Sequence, residues 1–250
     1  MDYDSIKKVI ESCHLNFLIG SGASRPFLGT LGSIEKLLTD LAKSNISEDN
    51  KIIIDASIKK YYWEVAIKGN LEINTTGNTK LDVTKKAYSD FYSSLNTILI
   101  KRKTNLISKQ ANVFTTNMDL FNEYALENGG FTYNDGFSGR LNPLFGTENF
   151  NNSIRKTSSH FEYQSELPLF NLFKLHGSIN WLLNSDDKII YDTNLKILKG
   201  IEDVKIDAKN LLEIEYLKKI KGVDVWLSYT IDELEVQITK KKISKKQRTC

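Results

Sequence analysis

The chain reads as an α/β fold, a parallel sheet with helices on both faces. Three observations predict it. Three short apolar runs each stop in a polar loop, at Gly20, Thr116 and His176. Stretches with helical spacing separate these runs, as the crossovers of a parallel sheet require. The first polar loop is rich in glycine, the usual partner of a strand end that approaches a ligand closely. A length of 250 residues accommodates one full α/β domain, or a compact one with smaller insertions.

Ile6, Val9, Ile10 and Cys13 follow the i, i+3, i+4, i+7 spacing of an amphipathic helix. Phe17, Leu18 and Ile19 predict a buried strand, broken by Gly20, Ser21, Gly22, Ala23 and Ser24. Ser33 is positioned as N-cap of a helix carrying Ile34, Leu37, Leu38 and Leu41. Tyr61, Tyr62 and Val65 suggest another helix. Val83, Ala87, Phe91, Leu95, Ile98 and Leu99 predict a long one, whose aromatic residues read as packing or an oligomer face. Between them "GNLEINTTGNTKL" reads as a polar loop or small inserted lobe. Val113 and Phe114 form the second strand, and Phe121, Tyr124 and Ala125 begin a helix that Gly129 and Gly130 end. From Phe131 to Pro168 nearly forty residues show no firm periodicity, as expected of a lid or a disordered segment. The third strand, in "LFNLFKLHGSINW", stops at His176 and Gly177, and "WLL" and "KII" around "NSDD" form a hairpin. In an open parallel sheet the loops after the three strands meet at one edge, where ligands bind.

Composition narrows the function classes. Thirty-four basic against 31 acidic residues give a net charge of +3, so direct nucleic-acid binding is not expected. Much of the excess lies in Lys240, Lys241, Lys242, Lys245, Lys246 and Arg248, which read as a solvated tail. The two cysteines, Cys13 and Cys250, supply neither a four-thiolate zinc site nor a disulfide framework, so a cytoplasmic location is expected. The N-terminus lacks the pattern of a signal peptide, and no apolar run approaches the ~20 residues that cross a bilayer. No membrane association is expected.

"GSGAS" after a strand suits a phosphate, but the dinucleotide fingerprint G-x-G-x-x-G is not met, because Arg25 stands at the third glycine. Asp40 lies at about the spacing of a ribose-binding acid but in the middle of a helical pattern, so a hydride-transferring dehydrogenase is disfavoured. Thr115, Thr116, Asn117 and Asp119 bring an amide and a carboxylate to the second strand end. His176 arrives at the third, followed by a glycine that leaves room beside the imidazole.

The ordered trio "GSGAS", "TTNMD" and "KLHGS" resembles the sirtuin pattern G-A-G-x-S, T-Q-N-x-D and H-G over about residues 15–182. The phrase "YNDGFSGR" looks more like the divergent bacterial sirtuin-like proteins of antiphage defence than like protein deacetylases. The resemblance implies a Rossmann-like, sirtuin-like fold. It implies that Gly20, Ser21, Gly22, Ala23 and Ser24 wrap the pyrophosphate of NAD+. Thr116, standing where the family has Gln, and Asn117 would lie along the nicotinamide ribose. Asp119 would accept from the nicotinamide carboxamide, and His176 would be the general base. A histidine ordinarily exchanges its proton near neutral pH, which suits that work.

Departures from the family shape the expected reaction. "SINWLLNSDDKIIYD" stands where a deacetylating sirtuin carries its four-cysteine zinc ribbon, so no metal is expected and deacetylation is disfavoured. The G-x-S-x-x-D segment that completes the family's adenosine site is not found in "GVDVWLSYTIDELEV", so that end has diverged or the chain is a truncated form. The expected organisation is a sirtuin-like NAD-binding domain over residues 1–230, with inserted segments at about 45–105 and 131–168, and a basic tail over 231–250. The expected activity is NAD+ hydrolysis to nicotinamide and ADP-ribose, with NAD+ as substrate rather than cofactor. Asn117, Asp119 and His176 are the catalytic candidates. The resemblance further implies an abortive-infection effector that forms homo-oligomers or works beside a HerA-like ATPase or other sensor subunit, with the 131–168 segment as a gate. The alternatives are a non-catalytic NAD or ADP-ribose sensor, and a protein ADP-ribosyltransferase or deacylase.

Overall fold

A computed structural model describes residues 2–30, 34–102, 107–150, 152–160, 162–204, 211–212, 219–220, 223–224 and 234–239. Ser33 and the lysine-rich stretch from Lys240 to Cys250 lie outside the described residues. The helices are α1 (Tyr3–Ser12), α2 (Ile34–Lys43), α3 (Glu48–Tyr62), α4 (Thr79–Lys101), α5 (Phe121–Asn128) and α6 (Lys196–Glu202). The strands are β1 (Leu15–Ile19), β2 (Gln110–Thr115), β3 (Tyr133–Asn134), β4 (Phe137–Ser138), β5 (Leu144–Phe145), β6 (Arg155–Thr157), β7 (Gln164–Glu166), β8 (Leu169–Lys174), β9 (Trp181–Leu183), β10 (Ile189–Tyr191), β11 (Lys219–Ile220) and β12 (Val223–Asp224). Two compact units result: residues 1–27 with 70–199, and residues 28–69 with 200–250.

The first unit is a mixed α/β structure around a four-stranded parallel sheet in the order β1-β2-β8-β3, flanked by helices and compatible with a Rossmann-like fold. β8 occupies an interior position, and Leu169, Phe170, Asn171 and Leu172 are all buried, as a parallel strand covered on both faces demands. An asparagine row crosses the sheet: Asn16, Asn112, Asn171 and Asn134 are aligned in register. The Asn112 amide donates to Asn16 Oδ1 at 2.8 Å and the Asn171 amide to Asn112 Oδ1 at 2.9 Å. A slip of one residue would set these amides against apolar neighbours, so the row fixes the register that aligns the strand ends.

Two expectations are corrected here. Phe17–Ile19 is not a buried strand: among the described residues β1 pairs only with β2, and Leu18 is 74% exposed. A short apolar run cannot by itself distinguish an interior strand from an edge. The long helix forms, but its buried stripe is Leu81, Tyr88, Tyr92, Leu95 and Leu99, while Val83 faces solvent. Tyr88 and Tyr92 are half apolar, half polar, and both bury their rings while their hydroxyls reach buried partners. The buried face thus runs through Thr84, Tyr88 and Tyr92, one position on from the Val83, Ala87 and Phe91 that the apolar spacing picks out. Asn78 N-caps this helix, its side-chain oxygen accepting from the Lys80 and Leu81 amides at 3.1 and 3.4 Å.

The segment from Phe131 to Pro168 is ordered into β3 to β7 rather than lacking structure. β3 extends the parallel sheet, and β4 and β5 join the hairpin β9–β10 in an antiparallel sheet of order β4-β5-β10-β9. The strands β3 to β7, two or three residues long, show no period of two and, unlike the apolar β9 and β10 that flank a turn, carry at most two apolar residues each, so the sequence has no signal for them. Aromatic rings hold the region: Phe137 meets Trp181 at 5.5 Å and Tyr191 at 5.1 Å, and Phe150 stacks on Phe173 at 4.2 Å. Among the described residues of this segment, those of the β6–β7 hairpin are exposed along nearly its whole length.

The second unit has its own core, formed by Ile34 and Leu41 of α2, Ile54 and Ile58 of α3, and Leu212, Leu234 and Ile238. Burying each such side chain contributes roughly 1.5–3 kcal/mol. Residues 234–239 are helical, so this stretch packs into the unit although the sequence set a tail from 231. Among the described residues no helix is long and apolar enough to cross a membrane.

Candidate active site

The parallel register brings the C-terminal ends of β1, β2 and β8 side by side. The Thr116 amide donates to Ile19 C=O at 3.3 Å, and the Leu175 amide donates to Thr115 C=O at 2.9 Å. The loops beginning at Gly20, Thr116 and Leu175 therefore share one edge of the sheet.

The first loop turns immediately into a short 3-10 segment, Ser21–Ser24, closed by the Ala23 amide on Gly20 C=O at 3.0 Å. Gly20, Ser21, Gly22 and Ala23 are exposed and Ser24 is buried. A Cβ built on Gly20 or Gly22 would meet nothing within 4 Å, and neither glycine has a positive φ. Neither the packing nor the backbone conformation of this chain requires glycine at either position. What glycine does provide there is open backbone on the solvent side.

Ser24 ties this loop to the next. Its Oγ donates to Asp119 Oδ2 and lies 3.0 Å from the Tyr88 hydroxyl. An ionised carboxylate only accepts, so the single Ser24 proton is spent on Asp119 and Tyr88 must donate to Ser24. The Asn117 side-chain nitrogen donates to Gly20 C=O at 3.1 Å, to Ser24 Oγ at 3.1 Å and, more weakly, toward the Tyr88 hydroxyl at 3.4 Å. The Gly20 carbonyl fixes which way the amide points, because a flipped amide would set oxygen against oxygen. Asn117 Oδ1 is buried and without a hydrogen-bond partner. The Asn117 amide N–H donates to Thr115 Oγ1 at 3.0 Å, which sets the side chain against the first loop.

Asp119 has both oxygens engaged, Oδ2 by Ser24 and Oδ1 by the Phe121 amide at 3.3 Å at the start of α5. The Tyr88 ring stacks on Phe121 with centroids 5.4 Å apart, so α4 and α5 clamp the network from the core side. Burial and the Asp119 charge push the Tyr88 hydroxyl well above its ordinary range, and it stays protonated as the relay requires.

A buried ion pair supports the same loop from behind. Lys174, the last residue of β8, donates to Asp119 C=O and to Ser178 Oγ at 3.0 Å and pairs with Glu123 at 2.7 Å. The two side chains are 1% and 7% exposed. Burial raises the Glu123 carboxyl above its usual range, opposed by the Lys174 charge. Three donor contacts thus pin Lys174 between β8, α5 and the Asp119 backbone.

The structure therefore joins Ser24, Asn117 and Asp119 into one network. Thr116 is half-buried, held through its amide at the strand end. His176 is on the same edge but exposed, in a turn closed by the Gly177 amide on Lys174 C=O at 3.1 Å, with Gly177 at φ +76°. Among the described residues no hydrogen bond links its ring to Asn117 or Asp119. Arg25 is exposed. Tyr88, Lys174 and Glu123 were not anticipated from the sequence. A lysine closing the apolar run "LFNLFK" and a glutamate within the apolar helix "LFNEYAL" are the signals that would have found the ion pair, since neither charge is affordable there alone. Chemically, the edge offers an exposed glycine loop beside a fixed amide acceptor and an imidazole at the solvent. No protein-family profile matches the chain, and no curated protein matches it significantly.

Proposed function

We propose that this chain is an NAD+ glycohydrolase, cleaving NAD+ to nicotinamide and ADP-ribose as the effector of an abortive-infection antiphage system. The observation that carries the reading is the coupling of the glycine loop to Asn117 and Asp119 through Ser24 at adjoining strand ends. Glycines that nothing in the protein requires, placed beside an unpartnered buried amide oxygen, suit a loop that receives a ligand's phosphates while Asn117 meets its ribose.

In the proposed reaction a water oxygen attacks C1′ of the nicotinamide ribose. The C1′–N bond breaks, its electron pair neutralises the pyridinium nitrogen, and nicotinamide leaves. Positive charge builds on the ribosyl carbon, as in glycoside cleavage. Asn117 Oδ1 orients the hydroxyl or the water, the Gly20–Ser24 backbone holds the pyrophosphate, and the exposed His176 takes the water's proton. Asp119 positions the site by anchoring Ser24 and the start of α5. It is the sirtuin resemblance that points to the nicotinamide ring as its further partner.

The test is nicotinamide release from NAD+ by purified protein, alone and with candidate partner subunits. Loss of release in Asn117→Ala and His176→Ala is the expected result, and label transferred from NAD+ to protein would instead indicate ADP-ribosyl transfer. One observation favours a second reading, a non-catalytic NAD or ADP-ribose sensor: the His176 ring has no hydrogen bond to the network, and a sensor does not need one. Stoichiometric binding without turnover under every condition, unchanged in His176→Ala, is the signature of that alternative.

A further inference from the structure

A concavity that none of the candidate site residues lines lies in the first unit. It holds about 250 Å³ and is walled by α5 on one side and by residues around β9 and β10 on the other. Glu123, Tyr124 and Glu127 of α5 face it together with Asn180, Tyr191 and Asp192. Three of these six are carboxylates, and no lysine or arginine is among the lining residues.

Two buried acceptors there have nothing to accept from. Glu123 is 5% exposed; its Oε1 takes Lys174, and its Oε2 has no partner. Asn180 is 3% exposed; its backbone carbonyl accepts the Asp192 amide at 2.7 Å, but its side-chain Oδ1 has no partner. A buried acceptor left unmatched costs about 1–3 kcal/mol. The neighbouring carboxylates are committed differently. Asp192 accepts the Asn194 and Lys196 amides at 3.1 and 2.6 Å, and Glu127 accepts the Tyr133 hydroxyl at 2.9 Å. The two vacant acceptors therefore belong to residues that line one concavity, where Lys174 balances Glu123, and Glu127 and Asp192 supply the remaining negative charge.

We propose that this concavity binds a small organic cation, an alkyl ammonium or guanidinium, whose several N–H groups donate to Glu123 Oε2 and Asn180 Oδ1. Such a head carries three to five donors and no acceptor, which matches the two vacant oxygens. The Tyr124 ring already receives Lys85 Nζ at 4.5 Å from its centroid, so the proposed contacts are the two vacant oxygens rather than this ring. A metal ion fits less well, because among the described residues no group of three or more His, Cys, Asp and Glu is placed to hold one. The site does not depend on NAD+ cleavage and stands or falls separately from it.

Calorimetric titration of the intact protein with agmatine and with putrescine tests the proposal, with 1,4-butanediol as the uncharged control. Saturable one-to-one binding of at least one amine, and none of the diol, is expected. Asn180→Leu should weaken it about tenfold, the loss of one hydrogen bond to a charged donor. Should Asn180→Leu not fold, the charge reversal Glu127→Lys on the exposed rim should weaken the same binding severalfold. Absence of saturable binding by both amines, binding of the diol with equal affinity, or undiminished affinity in the folded variant overturns the proposal.

Discussion

Ser24 has one hydroxyl proton, and its destination organises the site. Because that proton goes to Asp119, the Tyr88 hydroxyl and the Asn117 amide must both point at Ser24 Oγ as donors. Ser24→Ala strips an acceptor from Asn117 and a donor from Asp119, both buried, and should destabilise the protein by about 1–3 kcal/mol in denaturant titration. Gly22→Ala separates folding from ligand binding. The new methyl has room, so the unfolding free energy should hold or rise, by up to about 1 kcal/mol, while NAD+ affinity falls. Equal loss of stability and affinity would show that the glycine serves the fold. Tyr88, Tyr92 and Tyr191 all have hydroxyls raised by burial above the ordinary value of 10.0. The folded state holds these protons more tightly than the unfolded chain, so their contribution is complete below pH 10 and is lost as pH rises beyond it. Stability above that pH should fall by about 1.4 kcal/mol per pH unit for each such tyrosine, and the three phenols should ionise only with unfolding when absorbance is followed.

Among the elements, the strand ends matter most, and their order along the sequence was legible because each strand stops in residues that cannot continue it: glycines, Thr-Thr-Asn, and His-Gly. α1, α2, α5 and the β9–β10 hairpin follow from periodicity and turn chemistry in the same way. What the sequence hid depends on partners distant in the chain. The α4 stripe turns on tyrosines whose hydroxyls meet Ser24 and Asn122, and β3 to β7 are short and carry at most two apolar residues each. The Lys174–Glu123 pair is another long-range feature. Lys174→Met leaves a buried carboxylate without its cation and should cost about 3–5 kcal/mol, whereas adding Glu123→Leu should recover most of the loss. No recovery in the double variant would mean that the Lys174 contact to Asp119 C=O, rather than the ion pair, supplies the stability. A gate within 131–168, as the resemblance implies, would have to be the exposed β6–β7 hairpin, since Phe150 and β3 are built into the unit. The Leu167 amide bonds Ile154 C=O at 2.9 Å, so residues 155–166 can be excised at a closed neck. The shortened protein should fold and cleave NAD+ faster in the absence of a trigger; an unchanged basal rate removes the hairpin from regulation.

Taken whole, the chain is two compact units, and the first contains every candidate site residue, from Gly20 to His176. Its sheet order places three loops, separated by up to about 150 residues of sequence, on one edge, and this is the general property of open parallel sheets that makes their strand ends into ligand sites. The sequence could identify this edge because strand-ending signals are local. It could not show that Asn117 and Asp119 share Ser24, because that meeting depends on register and on Tyr88 behind it. The central claim is that this edge breaks the nicotinamide–ribose bond. Nicotinamide release from NAD+, followed over a protein concentration series that spans assembly, tests it most directly. The account predicts turnover by the wild type and a fall of about 10²–10⁴-fold in His176→Ala, with a comparable loss in Asn117→Ala. Turnover that persists undiminished in both variants, or NAD+ binding without nicotinamide release at every assembly state, would contradict it.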